Sequence, residues 1–207
     1  WAQERVTLVQ VCTPAATAVP VRFRADAAGT VSDLKTGLTW MRCALGQQWN
    51  GTDCTGVPLK SSWAGGFDRA SELNRGGGYG GHTDWRLPAL DELAALVEPR
   101  CYDPALDLTS FPSGPITGFW SATPHASGNH AMLVHFKYGG RYMGNRDQTW
   151  ALRVPRSVKD LHVSVRRASE ALEQQLSRSP TVRELADHLD VSVDEVIGAL
   201  GATAARR

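Results

Sequence analysis

Apolar positions recur along this chain with two different periods, and the change from one to the other comes near residue 153. Before that point the signals are short and turn-rich. Gly29-Thr30-Val31-Ser32-Asp33 and Thr36-Gly37-Leu38-Thr39-Trp40 read as a β-hairpin with Leu34-Lys35 near its turn. Trp63, Phe67, Ala70 and Leu73 fall at helical spacing and predict a first helix. Gly76-Gly77-Gly78 ends it and opens a flexible loop through His82. Leu90, Leu93 and Leu96/Val97 form a second helical stripe. Pro88 and Asp91-Glu92 stand at its start, where a missing N–H is harmless and negative charge is favoured.

Ala131 to Tyr138 alternates, with Met132, Val134, Phe136 and Tyr138 on one face and His135 and Lys137 on the other. Gly139-Gly140 reads as a two-residue turn able to take positive φ. That turn would set Lys137 opposite Tyr142, with His135 and Arg146 farther out on the same face. Trp150, Leu152 and Val154 alternate again as a closing strand.

After residue 153 the period becomes helical. Ser157 reads as an N-cap with Asp160 three positions on, and Leu161, Val165, Ala168, Leu172 and Leu176 share one face of a helix of about five turns. Ser179-Pro180 breaks it. Thr181-Val182-Arg183-Glu184 is a capping box for a second helix ending near Leu189. Ser192-Val193-Asp194-Glu195 is another, with Val191 and Val196 at staple positions for a third helix. Two short helices around Asp190-Val191-Ser192 have helix-turn-helix spacing.

Composition changes at the same place. All four cysteines and all seven tryptophans precede residue 153, and of 20 glycines only Gly198 and Gly201 follow it. The expected domains are therefore residues 1–152 and 153–207. The net charge of +1 gives no global pull toward nucleic acid or a membrane surface. No apolar run approaches the roughly 18 residues that a membrane span needs, so membrane insertion is not expected. The first residue is Trp1, which suggests a fragment or a processed product. Trp1-Ala2-Gln3 suits the tail of a signal peptide and equally an arbitrary start.

Four cysteines allow two disulfides. Cys43 and Cys54 bracket a polar loop and are the natural pair, which leaves Cys12 and Cys101 for a long-range staple. Four free thiols in a cytosolic protein is the alternative, and the Gly-rich, loop-rich composition favours the disulfides of an exported domain.

Several landmarks resemble a known family. Thr36-Gly37-Leu38-Thr39-Trp40, Trp85-Arg86-Leu87-Pro88 followed by Glu92-Leu93, Tyr102-Asp103-Pro104-Ala105 and Phe119-Trp120-Ser121 look like the C-terminal domain of collagen-like bacterial adhesins (Lcl_C), over about residues 12 to 154. The resemblance implies a C-type-lectin-like fold, related to that of formylglycine-generating enzymes. It also implies an exported or surface binding role with glycans or sulfated polymers as ligands.

No catalytic site is expected. A formylglycine-generating site would need late paired cysteines, and none follows Cys101. The Ser and His residues lack nucleophile-elbow context. Calcium would need converging oxygen ligands, and the Glu-Pro-Asn or Gln-Pro-Asp signature of sugar-binding lectins is missing beside Asn129, Asn145 and Asp147. His125 and His130, five apart across a loop, are weak support for zinc. No cofactor or metal is implied. The candidate ligand-binding residues are His135, Lys137, Arg141, Tyr142 and Arg146, where cations and aromatics suit a glycan or anionic polymer. An ordinary solvated hairpin face competes with that reading. Trp40, Trp85, Trp120 and Trp150 read as packing residues, and Arg86 as a binder of loop carbonyls.

The run Arg153-Val154-Pro155-Arg156-Ser157 to Leu172, with Arg178-Ser179-Pro180-Thr181-Val182 and Glu184-Leu185-Ala186, resembles region 3 of bacterial sigma factors of the stress and sporulation type, over residues 153 to 205. The resemblance implies RNA polymerase core and promoter DNA as partners. Ser157 and Asp160 fall where primary sigma factors read the extended promoter element, but Ser157 replaces their usual His. Lys159, His162, Arg166 and Arg167 suit phosphate contacts, or equally a solvated helix face. The melting region and the second promoter-reading region are not part of the resemblance. The expected fold is therefore α+β: a C-type-lectin-like domain of short strands with two helices, then a small all-α three-helix (helix-turn-helix) segment. An exported disulfide domain and a cytoplasmic transcription segment do not share a compartment, which suggests a chimera. The rival reading is a transcription fragment whose first domain is a cytosolic sensor.

Overall fold

The computed structural model describes residues 10–14, 21–189, 193, 196, 197 and 200, with backbone alone for 157–164 and 167. The chain is mixed α+β. Its elements run β1 (Val11–Cys12), β2 (Phe23–Ala25), β3 (Thr30–Asp33), β4 (Leu38–Met41), β5 (Gln48–Trp49), β6 (Cys54–Thr55), β7 (Lys60–Ser61), α1 (Trp63–Arg75) and α2 (Leu90–Ala94). They continue with β8 (Cys101–Tyr102), β9 (Gly118–Pro124), β10 (His130–His135), β11 (Gly140–Asn145), β12 (Trp150–Ala151), β13 (Pro155–Ser157), α3 (Val158–Leu176) and α4 (Val182–Leu189). Two compact units result, residues 1–36 with 40–155 and residues 37–39 with 156–207.

The first unit is built on a five-stranded sheet in the order β11-β10-β9-β12-β7. β9, β10 and β11 are consecutive antiparallel strands, whereas β12 returns parallel to β9. The core is aromatic. Trp40, Trp85 and Trp120 are fully buried, and the Trp120 indole N–H donates to Ser61 O at 2.9 Å. Strand β11 packs closely over this core because Gly144 carries no side chain: a Cβ there would stand 2.9 Å from both Leu133 and Trp120.

Helix α1 starts at Ser62, whose hydroxyl accepts from Gly65 N–H at 3.2 Å, and it ends at Gly76. Ala70 faces the core while Phe67 stays 39% exposed. Helix α2 is shorter than the Leu90-to-Val97 stripe suggests. It stops at Ala94, and Leu96 and Val97 continue in a turn. Glu92 closes its start, accepting from Ala89 N–H and from both terminal nitrogens of Arg86 at 2.8 Å each.

Two polar groups inside the first unit are costly unless held. Asp33, 1% exposed, accepts from Arg22 Nε at 2.9 Å and Nη2 at 2.6 Å, from Thr36 Oγ1 and from Lys35 N–H. Burial alone would raise its pKa, but these donors bring it below the ordinary carboxylate value. Arg153 is buried between the Phe111 and Phe119 rings, and its Nη1 donates to Met41 O at 3.1 Å and Arg42 O at 2.7 Å. Burial pulls that guanidinium well below its usual pKa. Disulfides join Cys12 to Cys101 and Cys43 to Cys54, leaving no free thiol among the described residues.

In the second unit α3 and α4 share a small core of Val165, Ala168, Leu185, Ala186 and Val196, with Leu172, Val182 and Leu189 packed against it. The capping box at Thr181 forms as its sequence predicts. Thr181 N–H donates to Glu184 Oε2 at 2.7 Å, and Glu184 N–H returns to Thr181 Oγ1 at 3.3 Å. The Asp190-Val191-Ser192 turn and most of the third capping box lie outside the described residues, as do Trp1-Ala2-Gln3. No described helix is long and apolar enough to cross a membrane.

Candidate ligand-binding site

The β10–β11 hairpin carries the candidate site, but its register differs from the one alternation predicts. His135 pairs with Gly140, Val134 with Arg141 and Leu133 with Tyr142. The loop is therefore the four residues Phe136 to Gly139, not Gly139-Gly140 alone, and Lys137 does not oppose Tyr142. The cause is Phe136. Its ring is fully buried edge-on to Phe119, with centroids 5.4 Å apart, and its N–H donates to Thr117 O. Strand pairing ends once Phe136 turns inward. Gly139 then takes φ 74°, and a Cβ there would run into Val97.

This register separates the five candidate residues into three places. His135 is half-buried, edge-on to Tyr142 and Trp150 with ring centroids 6.3 and 6.4 Å away. Its Nδ1 accepts from Lys137 N–H at 3.2 Å. Burial and then the Lys137 charge lower its pKa, so the imidazole stays neutral at physiological pH. Lys137 sits at the loop tip, its Nζ 4.0 Å from Asp103 Oδ1 and 5.2 Å from the Tyr138 ring. Arg141 reaches Asp91 at 2.7 Å. Arg146 stands apart: its guanidinium lies 4.3 Å over Trp63 and its Nε donates to His130 O at 3.2 Å. It braces the β9–β10 end and does not join Lys137.

Four groups around the hairpin were not among the candidates. Tyr102, on β8, is 46% exposed and its ring lies 6.4 Å from that of Tyr138, which is 64% exposed. Asp103 and Asp91 supply the carboxylates beside Lys137 and Arg141. Only the fold brings them there, through Asp103 N–H donating to Lys137 O and Ala105 N–H to Phe136 O. The result is an exposed tip where Tyr102 and Tyr138 stand beside Lys137, while Arg141 and Tyr142, consecutive on β11, point to opposite faces of the sheet, Arg141 toward Asp91 and Tyr142 toward His135.

Comparison with known proteins assigns the two parts. Residues 29–156, more than half of the 207-residue chain, match the Lcl C-terminal domain. The chain belongs to the Lcl C-terminal domain family. Residues 161–205 match Sigma-70 region 3. In the tail the chain is similar to RNA polymerase sigma-B factor of Bacillus anthracis, 48% identical over 52 residues, covering 25% of this chain and 20% of that protein. It is also similar to sigma-B factor of Bacillus subtilis, at 44% over 52 residues with the same coverage, and to RNA polymerase sigma factor SigF of Mycobacterium tuberculosis, at 42% over 55 residues, covering 27% and 21%. The chain spans about a fifth of the length of these curated relatives.

All five candidate ligand residues lie inside the Lcl C-terminal domain match, as do Cys43, Cys54 and Cys101, while Cys12 precedes it. Among the tail candidates, Ser157, Lys159 and Asp160 fall between the two matched spans, and His162, Arg166 and Arg167 fall within the second. The side chains of Ser157, Lys159, Asp160, His162 and Arg167 lie outside the described residues. Arg166 is exposed, with its Nε 3.3 Å from Glu170 Oε1 one helical turn on.

Proposed function

We propose that the Lcl C-terminal domain of this chain is a non-catalytic, C-type-lectin-like binding module for a glycan or other anionic polymer. The observation that carries this reading is the hairpin tip, where Lys137 stands beside the exposed Tyr102 and Tyr138, with the exposed Arg141 guanidinium on the following strand. Arg141 is paired with the exposed Asp91, and Lys137 with the half-buried Asp103 at 4.0 Å. Pairs of that kind contribute about 0–1 kcal/mol, so a polyanion can replace them at little cost. Tyrosine faces give a sugar ring apolar contact while their hydroxyls stay wet. His135 and Tyr142 would offer a second contact on the other face of β11. The two disulfides suit an exported or cell-surface setting. Titrating the whole oxidised chain with heparin, and in parallel with unsulfated dextran of similar length, tests the reading. Saturable, salt-sensitive binding to heparin is expected; no binding to either polymer would overturn it.

We infer for the tail the partners of complete sigma factors, RNA polymerase core and promoter DNA, because its resemblance to their region 3 extends through α3 and α4. The tail is an incomplete sigma segment joined to a binding domain. Its phosphate contacts would come from Lys159, His162, Arg166 and Arg167, with Ser157 and Asp160 nearest the bases. Pull-down of core polymerase by the whole chain, against a chain lacking residues 156–207, tests this. Equal recovery would contradict it.

A further inference from the structure

We propose that His125, Ser127 and His130, in the loop joining β9 to β10, form a site for a divalent first-row transition-metal ion, Cu(II) foremost. It lies at the opposite end of β10 from the Lys137 tip and is independent of glycan binding.

The placement follows from the hairpin. His125 comes directly after β9 and His130 opens β10, and His125 N–H donates to His130 O at 2.9 Å, so the two imidazoles leave the backbone as a cross-strand pair. Gly128, at φ 77°, turns the loop, with its N–H donating to His125 O at 3.2 Å. That turn folds Ser127 back between the rings. Ser127 Oγ lies 2.9 Å from His125 Nδ1 and 3.0 Å from His130 Nδ1. Ser127 N–H also donates to His125 Nδ1 at 3.2 Å, so that nitrogen is unprotonated, and an ion bound there would displace this hydrogen bond. The rings are 6.4 Å apart and steeply inclined at 78°.

Three ligand atoms therefore share one small volume. A first-row ion sits about 2.0–2.1 Å from an imidazole nitrogen. Neighbouring ligands in tetragonal geometry are then about 2.9 Å apart, and in tetrahedral geometry about 3.3 Å. The two nitrogen–oxygen separations already match edges of such a polyhedron. Rotation of the two imidazoles about Ser127 Oγ would bring both nitrogens onto one ion, with water in the remaining positions. Neutral imidazole with oxygen donors suits copper, nickel and zinc, and the affinity order of the divalent ions puts Cu(II) first. The Arg146 guanidinium, bonded to His130 O, places a positive charge nearby that would weaken cation binding.

Titration of the whole oxidised protein with CuCl2, in the presence of glycine as a weak competitor, tests the proposal by calorimetry and electron paramagnetic resonance. The parent should bind one ion with an imidazole-nitrogen signature. His125→Ala and His130→Ala should each weaken binding at least tenfold, Ser127→Ala severalfold, and His188→Ala not at all. A second readout needs no variant: ZnCl2 should shift the imidazole resonances of His125 and His130 while those of His82, His135 and His188 stay in place. Binding that survives a His125→Ala/His130→Ala double variant, no saturable binding in the parent, or zinc shifts at the other histidines instead would overturn it.

Discussion

The backbone N–H of Asp103 donates to the carbonyl oxygen of Lys137 at 2.8 Å. Together with Ala105 N–H donating to Phe136 O, that bond lays the hairpin tip along the segment after β8, where Tyr102 lies beside Tyr138. Cys101, one residue before Tyr102, is tied to Cys12, so the platform under the tip is covalently braced.

Gly139 makes this docking possible, and it cannot be replaced freely. Gly139→Ala should destabilise the domain by about 1–3 kcal/mol, because it adds left-handed strain to a collision with Val97. Chemical denaturation of the whole chain measures it. A variant as stable as the parent would mean that the tip does not pack on Val97.

Asp33→Asn should cost about 2–3 kcal/mol, since it leaves Arg22 without its buried counter-charge. The pH dependence has a definite sign. The folded-state pKa of Asp33 lies below its ordinary 3.8, so its stabilisation is complete above that value and is lost as pH falls through the lower folded value. The gap between parent and variant should be constant near neutrality and shrink only below about pH 4. A gap that already closes between pH 7 and 5 would contradict the pairing.

Much of this architecture was legible from sequence, for physical reasons that stay local. The α1 stripe and the Thr181 capping box each depend on residues within one or two turns of one another. The hairpin tip was not legible. Alternation from Ala131 to Tyr138 continues on paper past His135, but the pocket that draws Phe136 inward is made by Phe119 and Thr117, some 17 to 19 residues away in sequence. Asp91 and Asp103 were missed for the same reason: they reach Arg141 and Lys137 only across the fold. Ser127 was missed differently. His125 and His130 were visible as a pair, but nothing in the spacing showed a hydroxyl folding back between them.

The tail should unfold before the Lcl C-terminal domain. Its core is a handful of aliphatic side chains around Val165 and Leu185, and a segment of about 50 residues is marginal alone. Limited proteolysis should spare the buried residues 151–156, cut around the exposed Ser177, and leave a stable N-terminal fragment. One cooperative calorimetric transition for the whole chain would contradict this.

Glu184 gives the tail an acid-sensitive joint. Hydrogen bonds from Arg178 first, then from the Thr181 N–H and hydroxyl, lower its pKa to about 2 from 4.5. A carboxylate with a depressed folded-state pKa stabilises above its unfolded value and loses that contribution as pH falls toward the folded one. Helical circular dichroism of the tail should hold above pH 4.5 and decline as pH falls toward about 2. Arg178→Ala should move that decline upward in pH. An unchanged profile in Arg178→Ala would remove the pair from the account.

The most direct test of the binding module is the affinity of the whole oxidised chain for heparin with and without the hairpin cations. Lys137→Ala/Arg141→Ala removes an exposed pair and a loose, half-exposed one, both of little stability value, so the melting temperature should stay where it is. Affinity should fall at least tenfold, the equivalent of about 1.4 kcal/mol. Heparin binding of equal strength in parent and double variant would place the ligand elsewhere on the Lcl C-terminal domain and contradict the account.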